Sequence, residues 1–226
     1  MMASDKMRVL LADDHSLFRK GLASLISDRD DMDVVGEAEN GNEAVRITRD
    51  MMPDLVLMDV HMPGGDGVEA AKTIKKEMPQ VKVVMLTVSD TDEDLFAAIK
   101  NGADGYLLKN LDPFQFFDLL KGVRRGEAAI SGVLADRILH EFRERDARPG
   151  QPQDVYEELT PKEIETLEML VQGGTNREIA DALHISENTV KLHLRNIMEK
   201  LHLQNRIQLA VYAVRQGLDH QKDETD

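Results

Sequence analysis

The sequence predicts a doubly wound α/β domain followed by a small helical domain. Short apolar runs alternate with amphipathic segments through the first 125 residues, and this alternation is typical of a parallel sheet covered by helices on both faces. The run Leu55–Asp59 is apolar until its last residue, as expected for a strand buried on both faces. From Leu159 onward only helical patterns remain.

Five strands and five helices are predicted in the first domain. Each strand is a short apolar run bounded by turn-forming residues, and each helix carries apolar residues three and four positions apart. In the first helix these are Leu17, Phe18, Leu22, Leu25 and Ile26. The predicted strands are Met7–Ala12, Val34–Glu37, Leu55–Asp59, Val81–Thr87 and Gly105–Lys109. One further helix is predicted over Ala129–Glu144.

The chain of 226 residues has room for two domains, each with its own core. We expect the first domain at residues 7–126 and the second at 157–218. Residues 127–156 are expected to form a helical or flexible linker, because 145–154 are rich in Pro, Gly and polar residues.

Composition excludes several classes of protein. The net charge of −14 argues against indiscriminate binding of nucleic acid, but the segment 188–215 is locally basic. The absence of cysteine excludes disulfides and thiolate metal sites and agrees with a reducing cytoplasm. No apolar run approaches the roughly 20 residues needed to span a bilayer, and no signal peptide is visible, so a cytoplasmic location is expected.

Polar side chains follow the apolar runs of four predicted strands: Asp13 and Asp14, Asp59, Thr87, and Lys109. The carboxyl ends of parallel strands form one edge of a sheet, where ligands bind in open α/β folds. If the first and third strands are neighbours, three carboxylates converge, and oxygen ligands of this kind suit Mg²⁺. A carboxylate, a cation, a hydroxyl and an ammonium together can support phosphoryl transfer to an aspartate. Taken singly, these residues could equally be strand ends, helix caps or solvated charges.

In the second domain, the second and third predicted helices are joined by a tight turn. Thr160, Thr175 and Ser186 are predicted N-caps, and Gly173-Gly174 ends the first helix. The third helix carries Lys191 and Arg195 four residues apart, with Leu192 beside them. Such side chains can contact guanine edges and thymine methyl groups. The predicted phosphate contacts are Thr175, Asn176, Asn188, Asn196 and Lys200. Helix spacing alone also allows a bundle that binds protein.

Residues 7–126 resemble a response-regulator receiver domain of bacterial two-component signalling. The matching segments are the pair Asp13-Asp14, Asp59 within 58–64, Thr87 within 85–87, and Lys109 at the end of 102–109. The resemblance implies that Asp59 accepts a phosphoryl group from a sensor histidine kinase. It also implies that Thr87 and Tyr106 act as paired switch residues, although Tyr106 could be plain core packing.

The same resemblance implies a set of Mg²⁺ ligands. Asp14, Asp59 and the backbone carbonyl of His61 would bind the ion directly, and Asp13 would act through water. The sequence departs from many receivers at Asn110, where proline joined by a cis peptide is common, and this leaves the backbone after Lys109 open.

Residues 157–218 resemble the LuxR-type helix-turn-helix domain through segments 159–163, 176–180, 185–191 and 193–197. By that resemblance Lys191, Leu192 and Arg195 face the bases, and the last helix mediates dimerisation. His184 stands in the turn where the family usually has glycine, and a left-handed conformation costs histidine more than glycine.

The order of the two domains resembles the NarL/FixJ class of response regulators. It implies a cytoplasmic transcription factor that dimerises on double-stranded promoter DNA after phosphorylation, with no membrane partner and no enzymatic role beyond its own phosphorylation and dephosphorylation. Two alternatives remain at this point. The helical domain could dock on a protein partner of a phosphotransfer protein, or something other than phosphate could hold the receiver active.

Overall fold

The computed structural model describes residues 6–63, 66–88, 92–130, 159–215 and 218. The chain divides into two compact units, the first built mainly from residues up to 124 and the second mainly from residues beyond 132. Most of the predicted linker, residues 131–156, lies outside the described residues. No helix among those described is both long and apolar enough to cross a bilayer.

In the first unit strands and helices alternate strictly. Its strands are β1 (Met7–Ala12), β2 (Met32–Ala38), β3 (Leu55–Asp59), β4 (Lys82–Thr87), β5 (Gly105–Leu108) and β6 (Ala129–Ile130). Its helices are α1 (Ser16–Ser27), α2 (Gly41–Met51), α3 (Gly67–Glu77), α4 (Asp92–Lys100) and α5 (Pro113–Arg125). The predicted doubly wound class is confirmed.

All strand pairs in this sheet are parallel, and the order is β2-β1-β3-β4-β5-β6. The chain reverses its direction of winding between β1 and β3, which is where ligands bind in sheets of this order. The strands β3 and β4 are apolar along almost their whole length because helices cover both faces of the sheet.

The sheet has six strands, and the prediction of five was wrong. Ala129 and Ile130 pair with Gly105 and Tyr106 at the edge of β5, whereas the sequence predicts a helix from Ala129 onward. A Cβ on Gly105 would lie 2.7 Å from the Cβ of Ala129, so glycine permits this close approach. The added strand satisfies backbone groups that the edge of β5 would otherwise expose. Two residues are too few for a sequence pattern to identify.

Helix α1 turns a different face inward than its apolar residues predict. Leu22 and Ile26 are buried, as expected, but Leu17 is 86% exposed and Leu25 is 45% exposed. Arg19 is buried on the inner face instead. At about 100° per residue Leu17 lies nearly opposite Arg19, so burying this arginine turns Leu17 into solvent.

The described part of the second unit contains four helices, α6 (Pro161–Val171), α7 (Asn176–Leu183), α8 (Glu187–Lys200) and α9 (Arg206–Arg215). Their N-caps include the three predicted residues, and Thr160 and Thr175 each complete a capping box with a glutamate at the third helical position. The core contains Leu167, Ile179, Val190, Ile197 and Leu209. Apolar side chains from all four helices therefore meet in a single core.

The two departures from the family patterns have defined backbone geometry. His184 ends α7 in the left-handed conformation, with φ 55° and ψ 42°. Its backbone N–H donates to the carbonyl of Ala180, so the helix ends in a hydrogen-bonded turn without glycine. No cis peptide occurs among the residues described, so the peptide after Lys109 is trans.

Candidate functional sites

The register of the sheet brings the acidic residues of two strands to the same level. In β1 and β3, Ala12 pairs with Met58, so the next residues, Asp13 and Asp59, lie side by side at the carboxyl end of the sheet. Asp59 is the last residue of β3 and is only 5% exposed. β1 and β3 are therefore neighbours, as the predicted convergence of the carboxylates requires.

Lys109 joins the two carboxylates. Its Nζ lies 2.8 Å from Asp59 Oδ2 and 2.7 Å from Asp13 Oδ2. Lys109 follows β5, and its backbone N–H donates to the carbonyl of Thr87 at the end of β4. Side chains that follow or end β1, β3 and β5 thus meet, and the end of β4 holds the backbone of Lys109.

The electrostatics of this cluster are unbalanced. Burial raises the pKa of Asp59, and the nearby carboxylates of Asp13 and Asp14 raise it further, while Lys109 acts in the opposite direction. Burial alone would lower the pKa of Lys109, but its hydrogen bonds with Asp13 and Asp59 outweigh burial and raise it. One ammonium therefore stays charged among carboxylates that it does not fully neutralise.

The donor set is suited to a hard cation. Ligand atoms of Asp13, Asp14, His15 and Asp59 all lie within 4.8 Å of one another. Three of these residues offer carboxylate oxygens, which is the ligand type that Mg²⁺ and Ca²⁺ take. The Nδ1 atom of His15 lies 3.0 Å from Asp14 Oδ1 on the exposed side of the cluster. The residues present therefore fit a divalent metal ion.

The other predicted receiver residues differ in their accessibility. Thr87 and Tyr106 are both buried, at 1% and 0% exposure. His61 follows β3 by two residues, and its imidazole Nε2 lies 2.9 Å from Asp94 Oδ2 of α4. The imidazole is thus engaged with α4, and the backbone carbonyl of His61 stays a predicted metal ligand.

Three residues near the acidic cluster were not singled out from sequence. Arg19 donates hydrogen bonds to the backbone carbonyl of Asp13 and to Glu37 and Glu39. The ring of Phe18 lies 4.8 Å from the Lys109 ammonium. A Cβ on Gly67 would lie 1.8 Å from the carbonyl oxygen of Asp59. Sequence patterns give no signal for the first two, and Gly67 reads simply as a turn.

The exposed face of α8 carries the residues predicted to meet the bases. Leu192 is 45% exposed and Arg195 is exposed, while Lys191 is half-buried. Val190, Leu194 and Ile197 point into the core and hold the helix. Asn188 is exposed at the start of the helix and Asn196 is half-buried further along it. The helix thus separates an apolar inner face from a polar and basic outer face.

Three of the predicted phosphate contacts take part in local structure. The hydroxyl of Thr175 donates to Glu178 Oε2 at 2.8 Å within its capping box. Lys200 Nζ lies 2.6 Å from the buried carboxylate of Glu163. Asn176 is buried, and its side-chain oxygen accepts from Arg206. These positions favour structural roles, most clearly for Asn176, over contacts made by free side chains.

Comparison with known families agrees with both units. Residues 9–121 match the response regulator receiver domain, and residues 157–213 match the luxR family of bacterial regulatory proteins. The chain belongs to the response regulators. A receiver followed by a LuxR-type DNA-binding domain makes it a phosphorylation-dependent regulator of transcription, and this decides against a helical unit that only docks on protein.

Relatives extend this similarity over almost the whole response regulator. The chain is 40% identical over 218 residues to the transcriptional regulatory protein YxjL of Bacillus subtilis, covering 96% of this chain and 99% of that one. It is 39% identical over 212 residues to the response regulator VraR of Staphylococcus aureus, covering 94% and 98%. A solved structure of two RcsB dimers bound to two parallel DNAs is similar with a TM-score of 0.57 and 26% identity, covering 93% and 98%.

Proposed function

We propose that Asp59 is the phosphoacceptor of this response regulator and that its phosphorylation controls promoter binding by the helical unit. The observation that supports this most directly is the position of Asp59 at the end of β3, with the Lys109 ammonium shared between it and Asp13. The first domain in this proposal spans residues 7–126, the linker 127–156 and the DNA-binding domain 157–218.

The donor in this reaction is the phosphohistidine of a sensor histidine kinase. A carboxylate oxygen of Asp59 attacks the phosphorus atom, a P–O bond forms, and the P–N bond breaks with its electron pair going to the imidazole nitrogen. Because burial raises the pKa of Asp59, its anion is less stable than an exposed carboxylate. The acyl phosphate that replaces it moves negative charge outward onto the phosphoryl oxygens.

Lys109 and Thr87 receive that charge in this mechanism. The ammonium of Lys109 lies 2.8 Å from Asp59 Oδ2, so it is close to any group attached to that carboxylate. The hydroxyl of Thr87 would donate a hydrogen bond to a phosphoryl oxygen. In making that hydrogen bond, Thr87 would move toward the phosphoryl group. Tyr106, buried in the adjacent strand two residues before Leu108, would couple this movement to the surface of β4 and β5.

Asp13, Asp14, Asp59 and the backbone carbonyl of His61 would hold Mg²⁺, with Asp13 acting through water. When bound, the ion supplies positive charge that neutralises the phosphoryl oxygens during transfer. The close approach of the carboxylate oxygens supports this assignment, since such a group repels itself without a cation.

In the output domain, Lys191, Leu192 and Arg195 would contact bases in the major groove. Asn188 and Asn196 would contact phosphates, with Thr175 and Lys200 adding contacts beside their structural roles. Phosphorylation would favour a homodimer on a two-fold related site in promoter DNA. We place this regulator in the cytoplasm, with a histidine kinase and DNA as its partners.

The test compares DNA selection by wild type and by Asp59→Asn. Both full-length proteins receive Mg²⁺ and acetyl phosphate, and binding to a selected pool of duplexes is followed by fluorescence anisotropy. Intact mass spectrometry reports whether one phosphoryl group has been added. We expect phosphorylation and sequence selection in the wild type only.

Each of the other outcomes would contradict one part of the proposal. Equal DNA binding by both proteins would mean that Asp59 does not control the output. A phosphoryl group on Asp59→Asn would mean that another residue is the acceptor. Retention of sequence selection by Arg195→Ala, used as a control in the helical unit, would remove the assigned base contact.

A further inference from the structure

Arg19 is a buried cation next to the acidic cluster, and the phosphoryl-transfer scheme gives it no task. It lies on the inner face of α1, three residues before Leu22, and is 6% exposed. A guanidinium stays protonated at every physiological pH, and long charged side chains are rarely buried without several partners. Its contacts therefore indicate what it holds.

The guanidinium binds three different segments of the receiver. Its Nη1 donates to the backbone carbonyl of Asp13, at the end of β1. Its Nε lies 2.9 Å from Glu37 Oε2 in β2, and its Nη2 lies 2.8 Å from Glu39 Oε1 in the following loop. Arg19 thus ties the loop after β1 to the loop after β2.

The glutamate contacts alone do not account for this arrangement. The side chains of Glu37 and Glu39 are 44% and 70% exposed, and ion pairs with exposed partners stabilise proteins little. The contact with the Asp13 carbonyl is different because that residue is buried. A buried carbonyl without a donor is costly, so the backbone there would move if the guanidinium were removed.

Further hydrogen bonds restrain the backbone and the carboxylate of Asp13. The backbone N–H of Asp13 donates to the carbonyl of Ala38, and the backbone N–H of His15 donates to Asp13 Oδ1 at 2.8 Å. The opposite oxygen, Oδ2, faces Lys109. Both sides of the Asp13 main chain are thus fixed, which sets the direction of its side chain and of the adjacent Asp14.

We propose that Arg19 is a positioning residue that holds the loop of Asp13 and Asp14 in the geometry required to bind the divalent cation. This inference rests on the metal site of the proposed function. The planar guanidinium reaches three acceptors in different directions, which a lysine ammonium on a flexible stem cannot reproduce. Partners that orient metal ligands typically contribute about 10- to 100-fold to metal affinity.

The experiment measures binding of Mg²⁺ alone to the full-length protein by isothermal titration calorimetry. The main variant is Arg19→Met. The matched control is Arg49→Met, which removes an exposed bidentate pair with Glu77 at 2.8 and 2.9 Å. We expect Arg19→Met to weaken Mg²⁺ binding about 10- to 100-fold, and Arg49→Met to bind as the wild type does.

A second measurement separates positioning from a general loss of folding. The rate of phosphorylation by acetyl phosphate is followed as Mg²⁺ is raised. We expect Arg19→Met to need more Mg²⁺ for half the maximal rate and to reach a near-normal rate at saturation. If Arg19→Met does not fold by circular dichroism, Arg19→Lys takes its place, with a weaker but measurable loss of affinity expected.

Mg²⁺ affinity close to that of the wild type in a folded Arg19 variant would overturn the positioning role alone. A loss of the maximal rate with unchanged Mg²⁺ dependence would also overturn it. Asp14→Asn tests the metal site separately. If this variant binds Mg²⁺ as tightly as the wild type, the proposed metal site is wrong and the role of Arg19 falls with it.

Discussion

The two ends of the receiver sheet each contain a cluster of buried charge, and the two clusters are unbalanced in opposite directions. At the amino end, Asp104 accepts from Lys75 Nζ and Lys82 Nζ, both at 2.8 Å, and from the backbone N–H of Val83. At the carboxyl end, one ammonium, that of Lys109, pairs with both Asp13 and Asp59. The amino end has more cations than carboxylates, and the carboxyl end has more carboxylates than cations.

The difference lies in where the excess charge is placed. At the amino end the second cation, Lys82, has a side chain that is 40% exposed, so water solvates it. At the carboxyl end the excess carboxylates are buried or half-buried, and burial raises the pKa of Asp59. At the amino end the buried ammonium of Lys75 is matched by the carboxylate of Asp104, so this cluster is structural. The carboxyl end gains stability from further positive charge, which is a property of a binding site.

The largest effect is expected at the amino end. Asp104→Ala should lower the free energy of unfolding by about 3–5 kcal/mol, because it leaves the buried ammonium of Lys75 without its carboxylate. The receiver transition in urea, followed by circular dichroism, measures this loss. Lys82→Met is the control and should lose less than about 1 kcal/mol, since that pair is partly exposed. Equal losses in the two variants would contradict the distinction between them.

A methyl group at Gly67 should strain the carboxyl end. The Cβ of Gly67→Ala would lie 1.8 Å from the backbone oxygen of Asp59, so the end of β3 or the start of α3 must shift. We expect a loss of about 1–3 kcal/mol in the free energy of unfolding and slower phosphorylation by acetyl phosphate.

Gly21→Ala provides the comparison for that variant. Apart from the adjacent residues and the backbone of the helix itself, no atom of the described residues lies within 4 Å of a Cβ built on Gly21 in the middle of α1. Replacing this helical glycine should stabilise the receiver by about 0.5–1 kcal/mol. If both alanines stabilise the protein, the approach of α3 to Asp59 is not as close as described.

Asp59→Asn should change how stability depends on pH at the carboxyl end, with a smaller effect than Asp104→Ala or Gly67→Ala. The pKa of Asp59 is raised from its ordinary value of 3.8, chiefly by burial, so above pH 3.8 the folded state holds its proton more tightly than the unfolded state. The wild type therefore loses stability as pH rises from 3.8 through the raised pKa. Asparagine does not titrate, so thermal unfolding without Mg²⁺ should show that the stability of the variant rises relative to that of the wild type as pH increases across that window. A gap that is constant with pH would contradict the burial of the charge.

The smallest effect concerns the aromatic ring beside Lys109. Phe18 lies 4.8 Å from the ammonium, a distance at which a cation–π contact contributes about 0.5–1 kcal/mol. A double-mutant cycle of Phe18→Leu and Lys109→Met should show a coupling of this size in thermal unfolding. A coupling of zero would assign the whole stabilisation of Lys109 to its carboxylate partners.

The sequence by itself determined the architecture and the composition of the site. Runs of consecutive apolar residues identify β1, β3 and β4. Such runs arise because a strand covered by helices on both faces has no side that favours polar residues. These runs place Asp13, Asp59 and Thr87 at strand ends, and the short run of β5 does the same for Lys109. Local capping chemistry gave the starts of the helices in the second unit, since an N-cap depends on residues three positions apart.

Only the tertiary structure decided the features that depend on residues distant in the chain. The edge strand β6 exists because β5 offers it free backbone groups and a glycine at which to approach. Arg19 is buried, and Leu17 exposed, because the acceptors of the guanidinium come from β2 and from the loop after β1. Asn176 leaves the surface because Arg206, thirty positions later, donates to it. Periodicity records which residues share a face of a helix, but the partners that choose the inward face come from other elements.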